Sequence, residues 1–464
     1  MHTRRLLAVA FLFLLIAAAC TNEPEPAETG GEPTGGAGET AAAGETPFEH
    51  LNRALAGEFE GTSVEILAQW IDAEGANFEA VLQPFIDQTG IEVNYEGLTD
   101  YETVLTARVE GGNAPDLAQV AQPGLMQSFQ ASGDLVNLSD WINVDQIEQD
   151  YSAVVDLASV DGSMYGLFFK ADLKSIVWYP VQAFEDAGYT VPATWDELIA
   201  LQDQIKSDGG TPWCIGMEHG DATGWVATDW IEDVLLRTAP PEVYDQWVAH
   251  EIPFNAPEVL AAADIVSEIW FTEGNVFGDN TAINNVFVGH AMNDMFATPQ
   301  PKCWLHKQAS WIPSFWPGAE EDPPDPQFEA GVDSTFFYLP PIDDEFGTPV
   351  LGGGDMIVMF NDRPEVRALL EYLATPEAPL PWAEAGGFVS PNQSVPDSAY
   401  TTFPSTGLGP ILSSATTLRF DASDSMPAEV GQGTFWAGMV DWVADNGQNT
   451  EQVFEQIEES WPTG

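Results

Sequence analysis

The residues able to do chemistry in this chain are mostly acids and tryptophans. Its 464 residues include 73 Asp and Glu and 16 Trp, against 13 Lys and Arg, six His and three Cys. Nucleophilic, dinucleotide, phosphate and metalloprotease chemistry each need a local pattern, and GxSxG, GxGxxG, Walker A and HExxH are all missing. The histidines have no metal-ligand spacing, and no DxDxDG loop gathers carboxylates for calcium. Asp343-Asp344-Glu345 and Glu320-Glu321-Asp322 read as solvent-facing acidic turns. With so many acids almost every spacing occurs, so a carboxylate pair for glycoside hydrolysis gives no signal of its own. Neither metal nor cofactor is expected. What remains is binding chemistry: flat aromatic faces for apolar surfaces, and carboxylates and amides for hydroxyls.

The charge excludes some partners. A formal net charge of −60 repels nucleic acid and anionic lipid, so no nucleic-acid partner is expected. The carboxylates are spread along the whole chain rather than massed in a tail. They read as a solvated acidic surface, suited to a salty medium that screens repulsion.

The cysteines divide by position. Arg4 and Arg5 precede an apolar run from Leu6 to Ile16, then Ala17-Ala18-Ala19 and Cys20. This is a secretory signal, and its apolar run is shorter than the roughly 20 residues needed to span a bilayer. A Cys directly after small residues resembles a bacterial lipoprotein signal, with Ala17 where that pattern usually has Leu. Residues 1–20 are therefore expected to be the signal and Cys20 the lipidated residue, which holds the protein at the extracytoplasmic face of the cell membrane. The two arginines fit either Sec or twin-arginine export. Residues 21–47 are mostly Glu, Pro, Gly, Ala and Thr, with no aromatic before Phe48. Such a segment buries too little apolar surface to fold, and 21–57 is read as a flexible acidic tether. Cys214 and Cys303 remain as an even pair in an exported chain, which predicts a disulfide.

The elements that must position a site begin at residue 62. Thr62 to Trp70 alternates as a strand, and Glu74 to Thr89 sets Phe78, Val81, Leu82 and Phe85 on one helical face. Ile91 to Tyr95 alternates again. Tyr101 to Val109 is helical and ends at Gly111-Gly112. Asp116 to Val120 is a third strand. This alternation predicts a parallel sheet with helices on its faces, and ligands collect beyond the carboxyl ends of such strands. Trp70 and Gln122 lie there. Later, Leu173 to Tyr179 reads as a strand and Asp196 to Ile205 as a helix, with Thr194 as its cap and Glu197 three residues on.

Several segments then carry a resemblance: the third strand PDLA, YGLFFKADLKSIVWYP, PATWDEL, Val288 to Asp294, LGGGD at Leu351–Asp355, Ser425-Met-Pro427 and GTFWAG from Gly433. In this order they resemble the extracellular solute-binding proteins of bacterial ABC importers, in the sugar-binding group that includes maltose-binding protein. CIGMEHGDATGWVATDWIEDVLL, GGGD and FDASDSMP resemble its α-glucoside-binding branch. The resemblance implies an α/β fold, the two-lobed periplasmic-binding-protein fold (type II), with an interlobe ligand cleft and a hinge. The first lobe would take 58–170 and 332–375, the second 175–330 and 376–464. It also implies a small carbohydrate ligand, permease subunits as partners, no catalysis, and Val288–Asp294 as a second-lobe strand. The other readings left open are a surface glycoside hydrolase and a sugar sensor on the same fold.

A sugar presents C–H faces and a rim of hydroxyls. Trp70, Trp225, Trp230 and Trp436 are the candidate platforms, and Gln122, Asp172, Asp221, Asp355 and Asp424 the candidate polar ligands. Trp70 could equally be a wall residue packed on the next helix, and Trp230 and Trp436 could be core. Asp172 could pair with Lys170 or Lys174. Asp355 follows three glycines that let a backbone come close to a ligand.

Overall fold

The computed structural model describes residues 46–319 and 327–462. Cys20, the signal and residues 21–45 of the expected tether lie outside the described residues. No helix among the described residues is long and apolar enough to cross a membrane.

The strands in chain order are β1 Ser63–Ala68, β2 Glu92–Gly97, β3 Leu117–Val120, β4 Ser159–Val160, β5 Ser163–Met164, β6 Gly166–Leu173, β7 Ile176–Pro180, β8 His306–Lys307, β9 Ser334–Tyr338, β10 Pro349–Met359 and β11 Thr417–Phe420. One sheet runs β11-β10-β3-β1-β2, with β6 also paired to β10. β1, β2 and β3 are parallel, and β10 runs antiparallel to β3 and β6. The period-2 alternation of β1 explains the layering. Val64, Ile66 and Ala68 face one core with helix Asp72–Thr89, and Leu67 faces another with helices Tyr101–Glu110 and Pro123–Ser132. This is the first lobe. The second lobe packs β8-β7-β9 among helices that include Trp195–Ser207, Trp225–Thr238, Pro257–Phe271 and Trp436–Ala444. Thr194 caps the first of these: Glu197 N donates to its Oγ1 at 3.3 Å, and Ala193 N donates to Glu197 Oε2 at 2.8 Å. Cys214 and Cys303 are bonded, closing 89 residues of this lobe beside Trp178, Trp316 and Met292.

The chain divides differently from the expectation in three places. Residues 49–55, assigned to the tether, form a helix that buries His50, Leu51 and Ala54. Glu371 anchors it, accepting Leu51 N at 2.7 Å and lying 3.1 Å from His50 Nδ1. Segment 332–340, assigned to the first lobe, supplies β9, whose Ser334–Tyr338 pair with β7 in the second. Residues 380–399, assigned to the second lobe, put Trp382, Phe388, Val395 and Ala399 into the first-lobe core. Val288–Asp294, expected as a strand, forms 3₁₀ turns at Val288–His290 and Asn293–Phe296.

β6 and β10 pass side by side from lobe to lobe. Gly352, Gly353 and Gly354 pair with Leu173, Asp172 and Ala171. The glycines are needed by the protein itself. A Cβ on Gly354 would lie 2.5 Å from Lys170 O, and one on Gly353 2.8 Å from Lys174 Cε.

Candidate functional site

The two lobes meet at a cavity of about 110 Å³ lined from both sides. That is narrower than the roughly 300 Å³ at which ligand pockets begin, and the cleft is partly open to solvent. The lobes touch at its rim, where Thr103 Oγ1 of the first donates to Asp221 of the second.

The first-lobe wall is built at the carboxyl ends of its strands, as the parallel sheet requires. β1 leads to Gln69 and Trp70, helix Asp72–Thr89 brings Glu74 in its first turn, and β3 leads to Gln122. β6 points Lys170, Asp172 and the following Lys174 the same way, two residues apart. Lys170 sits at the centre. Its Nζ is 3.2 Å from Glu74 Oε1, 3.2 Å from Asp172 Oδ1 and 3.7 Å from Asp355 Oδ2. Burial alone would lower its pKa; the three carboxylates outweigh that and raise it, so the ammonium stays charged. Burial pushes Glu74 up to about 7 and Asp355 up to about 6, each partly restrained by Lys170. Asp355 is fully engaged: Oδ1 accepts from Gln69 Nε2 at 3.2 Å and Gln119 Nε2 at 2.7 Å, and Oδ2 accepts from Trp70 Nε1 at 3.3 Å.

The second-lobe wall is aromatic. His219, Trp225, Phe287, Trp311, Phe315 and Trp436 line it. Trp225 and Trp311 have centroids 6.0 Å apart, Trp311 and Phe315 5.4 Å, and Phe287 and Phe315 5.8 Å. Trp225 Nε1 donates to His219 Nδ1 at 3.2 Å, and burial lowers the His219 pKa, so the imidazole is neutral. Trp436 Nε1 donates to Ser423 Oγ at 3.3 Å.

Beneath this arc Lys174 Nζ lies 5.4 Å from the Trp225 ring centroid, at cation–π range. It also pairs with Asp229 Oδ1 at 2.9 Å and Asp421 Oδ2 at 2.6 Å. Burial would raise the Asp421 carboxyl, but Lys174, Asp229 and the Asp424 N–H hold it down at about 2. Burial raises Asp229 and Glu232 well above the ordinary carboxylate range, helped in both cases by repulsion from Asp421. Oxygens of Asp229, Glu232 and Asp421 lie within 4.8 Å of one another; the charge that gathers them is the Lys174 ammonium.

Of the nine expected binding residues, Trp70, Gln122, Asp172, Trp225, Asp355, Asp424 and Trp436 line the cavity. Asp172 does so while paired to Lys170. Two do not line it. Trp230 is core, edge-on to Trp213 at 5.1 Å and to Trp270 at 5.8 Å, because the helix face it shares points inward. Asp221 is exposed at the rim, where it takes the Thr103 bond rather than lining the floor. Trp70 is no platform: its ring is 1% exposed and wedged between Phe78 and Trp382, with centroids 4.7 and 5.1 Å away. Sequence reasoning missed Glu74, Glu102, Lys170, Lys174, His219, Phe287, Trp311, Phe315 and Asp421. The spacing of Lys170, Asp172 and Lys174 on one strand face was a readable signal for the two lysines.

Two α/β lobes joined by crossing strands, with facing walls in a closable cleft, define a binding protein of the type II periplasmic class. The chain belongs to the bacterial extracellular solute-binding protein family, whose model matches residues 72–378, and it is a binding protein rather than an enzyme. It is 43% identical over 407 residues to the osmoprotective compounds-binding protein GgtB of Synechocystis sp., covering 88% of this chain and 94% of that protein. It is 39% identical over 417 residues to the alpha-glucosides-binding periplasmic protein AglE of Rhizobium meliloti, covering 87% and 88%. Among solved structures, a chitin oligosaccharide binding protein matches with a TM-score of 0.70 at 19% identity, over 86% of this chain and 97% of that one. Maltose-bound MalE3 of T. maritima matches at 0.65 and 14%, over 86% and 98%. Those two likenesses speak to the fold alone.

Proposed function

We propose that this protein captures a neutral α-glucoside of the osmoprotective kind, such as glucosylglycerol, trehalose or sucrose, and delivers it to an ABC importer. The observation that carries this reading is the pairing of an acidic wall with an aromatic one across a single cleft. Carboxylates and an amide suit sugar hydroxyls, and the arc from Trp225 to Phe315 suits C–H faces. The names of the two relatives, osmoprotective compounds and α-glucosides, support it. The charge of −60 fits a protein working in a saline medium, where such solutes are wanted. Lipidation at Cys20 would keep the loaded protein near a membrane importer, with residues 21–47 as the tether. Mass spectrometry of the mature N-terminus tests that part: a diacylglyceryl Cys20 is expected, and an unmodified terminus contradicts it.

A thermal-shift panel tests the ligand class. A ligand at 100 times its Kd adds about 2.7 kcal/mol to the folded form, which is a shift of several degrees. Shifts are expected with α-glucosides and none with amino acids or polyamines. A shift with a polyamine and with no sugar would overturn the reading.

A further inference from the structure

Carboxylates of both lobes meet at the rim of the cleft. Asp100 and Glu102 come from the first lobe, at the start of helix Tyr101–Glu110. Glu218 and Asp221 come from the second, in the segment before helix Trp225–Thr238. Gly220 brings them together. Its N–H donates to Glu218 Oε1 at 3.0 Å, and a Cβ on it would lie 2.7 Å from Asp100 Oδ1. Asp100 therefore packs against the backbone of the opposite lobe. One residue on, Asp221 accepts from Thr103, the neighbour of Glu102. Glu102 accepts from Gln122 Nε2 at 3.3 Å. Burial raises its carboxyl, and repulsion from Asp221 across the rim adds to that. Among the described residues no Lys or Arg forms an ion pair with any of the four. His219, which faces Glu218 and Asp100, has its pKa lowered by burial. The two lysines of the cleft are taken up deeper in, Lys170 by Glu74, Asp172 and Asp355, and Lys174 by Asp229 and Asp421.

We propose that this rim makes ligand capture salt-dependent: screening relieves the repulsion between the lobes, so the protein holds a neutral solute more tightly in a saline medium than in a dilute one. Like charges at a few ångströms repel even in water. Salt removes most of that between exposed groups, because the Debye length falls from about 10 Å at 0.1 M to about 3 Å at 1 M. Asp100 and Asp221 are exposed, where screening acts fully. A neutral ligand brings no charge, so a salt dependence of its binding belongs to the protein. The device is electrostatic and involves no bound ion, which sets it apart from a cation site. It goes beyond the choice of sugar: the walls contact the ligand, and the rim sets how readily they come together around it. The first arm of the test below rests on the glucoside reading, and the second does not.

Glucosylglycerol and trehalose are titrated into the full-length mature protein at pH 8 in 0.1 M and in 1 M salt. The Kd is expected to fall by about three- to tenfold at the higher concentration, equally in NaCl and KCl. The rim variant Asp100→Asn with Glu218→Gln keeps an acceptor for Gly220 N and leaves Asp221 to take the Thr103 bond. Its Kd is expected to change by less than about twofold between the two salts. The control Asp145→Asn with Glu148→Gln removes the same charge from exposed positions on helix Val144–Asp150, outside the cleft lining, and is expected to keep the wild-type response. A wild-type Kd that stays constant or rises with salt overturns the inference. So does a fall that persists in the rim variant or is lost in the control. Binding of neither glucoside overturns the glucoside reading alone. Closure is then read without ligand, by energy transfer between dyes on Gln88→Cys and Gln204→Cys, exposed positions on the first and second lobes. Transfer that changes with salt in the wild-type background and not in the rim variant supports the inference, and transfer indifferent to salt overturns it.

Discussion

The two walls of the cleft solve the same task with opposite materials. The first-lobe wall is charged, buried and internally bonded, with Lys170 among Glu74, Asp172 and Asp355. The second-lobe wall is an arc of rings that relies on shape, and its cation, Lys174, lies beneath Trp225. A charged wall favours one direction for ligand hydroxyls, because its carboxylates are grouped around Lys170 in an arrangement that would be costly to rearrange. An aromatic wall accepts any flat C–H face and discriminates little. On the proposed reading, recognition is divided, with orientation on one lobe and contact area on the other, so that closure would combine them.

The sharpest way to break this contrast is to remove the cation of the charged wall. Lys170→Met leaves three buried carboxylates without their counter-ion and is expected to cost about 3–5 kcal/mol of stability. Urea denaturation reads this, and an unchanged midpoint would contradict a network centred on Lys170. The next effect is in pH. Glu74 is raised from 4.5 to about 7 on folding, so the folded state holds a proton that the unfolded state has released. That contribution is full below pH 4.5 and is lost as pH rises through 7. Its size is on the order of 3 kcal/mol. Glu74→Gln should flatten the decline of stability between pH 5 and 7 relative to wild type, read by thermal unfolding across that range.

The aromatic wall should behave differently. Trp225→Ala removes a platform but strands no charge, so affinity should fall by about ten- to a hundredfold while the Lys170 network and its pH response stay intact. Titration calorimetry at two pH values measures both. The smallest effect belongs to the rim. Asp221→Ala removes one exposed interlobe hydrogen bond and should weaken closure by no more than about 1 kcal/mol, seen as a severalfold faster ligand release in stopped-flow fluorescence.

How legible this was depended on periodicity. The alternation from Thr62 to Val120 gave the parallel sheet, the cleft end of its strands and thus Trp70 and Gln122. Parity gave the disulfide. Where the outcome turned on tertiary contacts, pattern was silent. Trp225 and Trp230 sit in one helix five residues apart, yet one lines the cleft and the other is core. Phe287, Trp311 and Phe315 lie in or beside irregular turns with no period to mark them. Residues 49–55 looked like tether because the helix they form is stable only against helix Pro364–Leu373, more than 300 residues later. The glycines before Asp355 make room for Lys170 and Lys174, a tertiary reason that no local pattern carries, and Asp355 lines the cleft while accepting from Gln69, Gln119 and Trp70.

The most direct test of the divided cleft is calorimetric titration of the wild-type protein with glucosylglycerol and with trehalose. One-to-one binding of at least one of them, with a heat that shrinks in Trp225→Ala, is the predicted result. Saturable heat from a polyamine or an amino acid, with none from either glucoside, would contradict it.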